Sequence, residues 1–317
     1  MIPELKITFF SGKGGVGKST IASAYAQLLA SRRRKTLLVS TDPAHSLGNL
    51  FQVEIGGNPT LLYPNLWGIE IDPVQENFHY INRVKASFKG LVKSTLVEDI
   101  ERQIELSCDS PGVEEAALFD AIVSIILDES SLYDRIIIDT APSGHAIRLL
   151  SLPEVMSSWM GGMLKRRKTA TKNYSQLLGD GETVDDPIYD LLNIRKQRYT
   201  AAKNIILDKM QTAINFIMLP ERLPFMETIS GIKMLSHYNI EVHTLFINKV
   251  LPENLRDDFF VKRKEQQSLY IKEIKSYFKD KEIIILPLFA EDITTHQALE
   301  EFSSYLAGEK VKTINKK

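Results

Sequence analysis

The chain has 317 residues, enough for one large α/β domain or two ordinary ones, and its 44% hydrophobic and 25% charged content is ordinary globular usage. A formal net charge of -1 supplies no field to draw the chain to nucleic acid or anionic lipid, and one cysteine, Cys108, excludes an internal disulfide framework and fits a reducing, cytoplasmic compartment. No stretch approaches the ~18 uninterrupted apolar residues of a membrane helix, and the N-terminal MIPELKITFF lacks the charged start and long apolar run of a signal peptide.

Taken in order, LKITFF is a short apolar run closed by a glycine loop and reads as a buried strand. STIASAYAQLLASRRR follows, rich in helix formers and ending in basic residues that suit a helix C-terminus. KTLLVSTD, LWGIEIDP, YDRIIIDT, AINFIMLP, VHTLFINK and KEIIILPL are further Val/Ile/Leu/Phe-rich runs, several closed by Asp, Asn or Pro. Continuous apolar strands separated by helical stretches predict an α/β fold with a mostly parallel central sheet covered on both faces. Ligands of such sheets bind at the carboxyl ends of the strands. Residues ~75–130 and ~152–212 are helical in pattern but too long for single crossovers, so they are expected to be insertions that form a helical subdomain within one domain spanning 1–317. Residues 165–186 are charged, glycine-containing and poor in large apolar side chains, the composition of a mobile tip. The C-terminal GEKVKTINKK reads as a solvated tail.

The glycine loop carries the first chemistry. Gly12 to Ser19 match G-x-x-x-x-G-K-[ST] between a strand and a helix, the setting in which backbone N–H groups wrap phosphates at a positive helix end. Gly12, Lys13, Gly14, Gly15, Val16, Gly17, Lys18, Ser19 and Thr20 are therefore assigned to nucleotide. Lys18 is to reach the β- and γ-phosphates and Ser19 to hold Mg²⁺. Lys13 exceeds what this loop needs. A solvated loop lysine is the plain alternative.

The order G-K-G-G-x-G-K-[ST], with STDPAHSLGNLF, IIIDTAPSGHAIRLL and FINKVLPE downstream, resembles the deviant-Walker P-loop ATPases of the ArsA and tail-anchored-protein targeting family, from about Ile7 to about Leu306. The resemblance implies a homodimer in which Lys13 reaches phosphates bound by the other subunit, as an arginine finger does. It also implies that Asp42 orients the attacking water and adjoins the metal, that Asp139 holds Mg²⁺ through water, and that Gly144 senses the γ-phosphate. Both aspartates could also serve as simple strand-end caps. His45 and His145 suit switch-loop hydrogen bonds better than metal ligation. Asn248, in NKVL, is implied to contact adenine. Leu251 stands where guanine-specific proteins need an Asp, so ATP is the expected nucleotide. Glu221 and Pro287 match further nucleotide-site positions.

Relatives of that family with a zinc staple carry C-x-x-C where this sequence has Val261 and Lys264, so no zinc is expected. The lone Cys108 cannot supply a thiolate cluster for trivalent arsenic. Met156, Met160 and Met163, with Leu152 and Trp159 nearby, lie on one helical face that is either an open groove for apolar segments or core packing. The implied partners are a second copy, hydrophobic transmembrane segments of client proteins and a membrane receptor, with no nucleic acid. A partition-type positioning ATPase, a metal-centre assembly NTPase and a pump-related ATPase without the arsenite cysteines are the competing readings.

Overall fold

A computed structural model of the chain describes residues 2–42, 46–88, 113–141, 144, 147–152, 156, 160–162, 164–165, 168–169 and 186–307. Expectations for His45, Cys108, His145, most of 165–186 and the C-terminal tail fall outside these. The described residues separate into two compact units, 1–72 with 130–147 and 206–317, and 73–129 with 148–205.

The first unit is built on an eight-stranded sheet. Its strands are β1 (Ile7–Gly12), β2 (Thr36–Ser40), β3 (Thr60–Tyr63), β4 (Leu66–Glu70), β5 (Arg135–Asp139), β6 (Thr212–Met218), β7 (Thr244–Val250) and β8 (Glu282–Pro287). The order is β3-β4-β2-β5-β1-β6-β7-β8, and every pairing is parallel except β3 with β4. The mostly parallel α/β sheet expected from the apolar runs is thus found. All residues of β1, β2 and β6 are buried, which is why these strands are predominantly apolar rather than alternating. β3 was not anticipated. It is four residues long, sits at the sheet edge and is half-exposed, too short for a periodic signal. Pro64 and Asn65 link it back to β4, with Asn65 at φ 66°.

Helix α1 (Lys18–Ser31) packs against the sheet through Ile21, Ala22, Tyr25, Ala26 and Leu29, all at most 2% exposed. The alanines let the helix approach closely, and Tyr25 meets Phe10 edge-on at 5.7 Å between ring centroids. Burying the Ile21 and Leu29 side chains is worth roughly 1.5–3 kcal/mol each. The consequence for function is positional. Because β1 lies between β5 and β6, its carboxyl end opens among the ends of its neighbours, the place where sheets of this class bind ligands.

The second unit is helical. Helices α3 (Pro73–Phe88) and α4 (Val113–Ser124) pack together, and α5 (Pro187–Leu207) begins here and carries its last two residues into the first unit. Arg83 ties α3 to α4, donating to Glu76 at 2.6 Å and Asp120 at 3.1 Å. Tyr199 of α5 donates to Asp120 at 3.2 Å. Met160 is 2% exposed and Leu164 is 6% exposed, so at these positions the structure gives core rather than groove. Met156 is half-buried, and Trp159 and Met163 lie outside the described residues. No helix among the described residues is long and apolar enough to cross a membrane.

Candidate nucleotide site

The loop between β1 and α1 takes the form its glycines require. Gly17 adopts φ 93°, and a Cβ there would lie 2.5 Å from Nδ2 of Asn248. A Cβ on Gly12 would lie 2.3 Å from the Ile217 carbonyl oxygen on β6. Neither position tolerates a side chain. Gly14 and Gly15 have open space around them, as a loop that must admit a ligand should. Val16 is 1% exposed and belongs to the core, so it can offer only its backbone to a phosphate.

The two lysines divide. Lys18 is 5% exposed, and its ammonium donates to the Lys13 carbonyl at 3.3 Å. It lines a cleft of about 490 Å³ together with Gly15, Gly17, Ser19, Thr20 and Asp42, closed on the far side by Asn248, Lys249 and residues from Pro287 to Thr294. That volume lies within the range of small-molecule sites. Lys13 does not line this cleft. Its ammonium donates instead to Oε1 of Glu227 at 2.9 Å, on helix α6 (Arg222–Ser236).

The carboxyl ends of β1, β2 and β5 are stitched to one another. Thr41 N–H donates to the Asp139 carbonyl at 3.0 Å and Ala141 N–H to Thr41 Oγ1 at 3.2 Å. Thr140 donates to the Phe10 carbonyl through both its N–H and its hydroxyl, at 3.1 and 2.9 Å. Asp42 and Asp139 are thereby brought to one side of the glycine loop from positions far apart in sequence. Asp139 is fully buried, and neither carboxylate oxygen has a well-formed hydrogen bond, although the Ser19 hydroxyl is near enough to act on it. Burial pushes its pKa up to about 7; nearby Ser19 and Lys18 pull the other way, and Asp42 and Glu70 add to the rise. An orphaned, buried carboxylate beside Ser19 fits a divalent cation, and oxygen donors of this kind suit Mg²⁺. Asp139, Ser19 and Asp42 are the residues that would hold it, and the cation would neutralise charge developing on transferred phosphate.

Asn248 is 4% exposed and lines the cleft, but its Nδ2 donates to the Val16 carbonyl at 2.9 Å. It anchors the glycine loop as well as facing the ligand space. Pro287 lines the cleft beside it. Gly144 is exposed on the segment after Asp139. Glu221 stands apart. It pairs with Arg263 of helix α7 (Asp258–Tyr277), and both line a second cleft of about 240 Å³ that shares no residue with the first. Val261 is exposed on α7, and Lys264 there donates to the Glu253 carbonyl at 3.0 Å.

Three site residues escaped the sequence reading. Lys249 takes φ 56° and donates through Nζ to the Gly15 carbonyl at 3.2 Å, a second anchor on the loop. Its signal was present, since it neighbours Asn248 in the same motif. Glu70 is 3% exposed and accepts from the N–H groups of Leu47 and Gly48 at 2.7 and 3.2 Å, holding helix α2 (Ser46–Phe51) just after the Asp42 segment. Glu227 lies 214 positions from Lys13, and no local pattern marks it.

A family model for anion-transporting ATPases matches residues 5–308. A protein of Aquifex aeolicus named as an arsenical pump-driving ATPase is 37% identical over 302 residues, covering 95% of this chain and 99% of that protein. An ATPase ASNA1 homolog of Paramecium tetraurelia is 30% identical over 98% of this chain and 96% of its own length. ATPase GET3A of Arabidopsis thaliana is 30% identical over 95% and 83% respectively.

Proposed function

This chain belongs to the anion-transporting ATPase family and is an ATPase, and from that premise we propose that it acts as a homodimer that captures hydrophobic transmembrane segments of tail-anchored proteins and releases them for insertion. ATP is the nucleotide. Lys18 and the loop N–H groups bind its phosphates, Asp42 orients the attacking water, and Asn248 and the Pro287 segment flank the base. The observation that carries the dimer is the division of the two lysines: Lys18 faces the cleft of its own subunit and Lys13 does not. A lysine so placed supplies charge to a neighbouring subunit's phosphates in the manner of an arginine finger. Leu223 and Met226, 59% and 52% exposed on the same helix as Glu227, give that side an apolar surface to cover.

Two names among the relatives point different ways, one to arsenical pumping and others to ASNA1 and GET3A. The single cysteine favours the second group, because trivalent arsenic is held by several thiolates together. In the helical unit, Val74 and Phe78 lie at i and i+4 on α3 and are 73% and 64% exposed, and Ile194 on α5 is 56% exposed. Apolar side chains held in water at helical spacing support a surface for apolar segments.

The test mixes two inactive proteins. Lys13→Ala and Asp42→Asn chains are each expected to lose turnover, and mixed dimers to recover part of it, because one composite site keeps both intact groups. In parallel, a transmembrane-helix peptide carrying a photocrosslinker is offered with ATP, with arsenite as the competing ligand. Absence of recovery in mixtures refutes the dimer reading. ATPase stimulation by arsenite, with no crosslink to the peptide, refutes the client.

A further inference from the structure

We propose that Glu227 is a positioning residue that holds Lys13 in a resting place outside the phosphate cleft, so that the lysine must exchange a carboxylate for phosphate before turnover. This rests on the reading that Lys13 acts on phosphate. The pair is 2.9 Å long, and each side chain is 37% exposed. Its existence follows from the sheet. β6 runs beside β1 with Ile217 opposite Gly12, and α6 starts four residues after β6 ends, so its first turns rise next to the residue that follows Gly12. Both lysine heads are tethered through one residue: Lys18 donates to the Lys13 carbonyl at 3.3 Å, while the Lys13 ammonium is on Glu227. A phosphate bound in this cleft draws Lys18 off the Lys13 carbonyl, and the phosphate bound by the neighbouring subunit competes with Glu227 for the Lys13 ammonium.

The strength of the pair suits such a role. A half-exposed ion pair biases an equilibrium by about fivefold at most, and salt weakens it. That is enough to set where the lysine rests, and a polyphosphate with several negative charges can displace it. Glu227 is not itself a catalytic residue, since it touches only the lysine.

The experiment uses the full chain and steady-state ATP hydrolysis at low and high salt. Glu227→Gln keeps the shape and removes the charge. It is expected to raise kcat/KM by about two- to fivefold at low salt, with a melting temperature near that of the parent. Glu227→Asp, which keeps the charge on a shorter arm, should fall between the two. The advantage of Glu227→Gln should shrink at high salt, where the parent's pair is already screened, and should vanish in the Lys13→Ala background. A well-folded Glu227→Gln protein that is slower than the parent, or unchanged at low salt, overturns the proposal. So does an equal gain over the residual turnover of Lys13→Ala, because the effect would then bypass the lysine. If Lys13→Ala alone hydrolyses ATP at the parental rate, the reading beneath fails, and this one falls with it.

Discussion

Asp139→Asn should stabilise the nucleotide-free protein at alkaline pH while abolishing its response to Mg²⁺ and ATP. The wild-type carboxyl has a folded-state pKa of about 7 against an ordinary 3.8, raised chiefly by burial. A raised acid pKa means the folded state holds a proton that the unfolded chain has already released. The cost to stability is absent below pH 3.8, grows by about 1.4 kcal/mol per pH unit through the window, and levels off above about 7. The asparagine has no such term. Its amide has its own burial cost, roughly 1–3 kcal/mol, but that cost does not depend on pH. The difference in stability between variant and parent should therefore move in the variant's favour by about 3 kcal/mol between pH 5 and pH 8. For a chain of this size that corresponds to a relative Tm change of about 4–5 °C. Thermal melts in chelator across this pH range measure it, and a second series with Mg²⁺ and ATP should raise Tm in the parent only. A difference between the proteins that stays flat from pH 5 to pH 8 would refute the buried state of Asp139 and the raised pKa that follows from it.

Gly17→Ala forces a Cβ to 2.5 Å from Asn248 Nδ2 at φ 93°, and should cost at least tenfold in affinity for a fluorescent ATP analogue in a titration. Asp42→Asn should keep that affinity within a few-fold and lower turnover by about 10²–10⁴, as expected when a group that orients the nucleophile is lost; near-parental turnover moves that role to another residue. Elemental analysis of purified protein should find no stoichiometric zinc, because the sequence has a single cysteine, with Val261 and Lys264 at the positions where the resemblance leads one to expect thiolates, and about one zinc per dimer would contradict this.

The amino-acid sequence alone determined the parts of this protein whose physics is local. A loop of glycines between an apolar run and a stretch of helix formers dictates its own backbone, so the glycine loop from Gly12 to Ser19 was legible before any fold was known. Seven of the eight strands were legible as apolar runs, most plainly β1, β2 and β6, which are buried along their whole length and so are predominantly apolar. The strand ends carrying Asp42, Asp139 and Asn248 were legible because a parallel sheet brings its carboxyl ends to one edge. The tertiary structure decided what depends on which strands are neighbours. Only the order β5-β1-β6 puts α6 beside the glycine loop, and so gives Lys13 a partner in Glu227. Only the turn at Lys249, with its positive φ, sends a side chain back to Gly15. Helical periodicity shows that Met156, Met160 and Met163 share a face, but burial is a property of what packs against that face, and the fold places Met160 in the core. Edge strand β3 makes the same point from the other side: four half-exposed residues carry no pattern of their own, and they become a strand because β4 offers them a ladder.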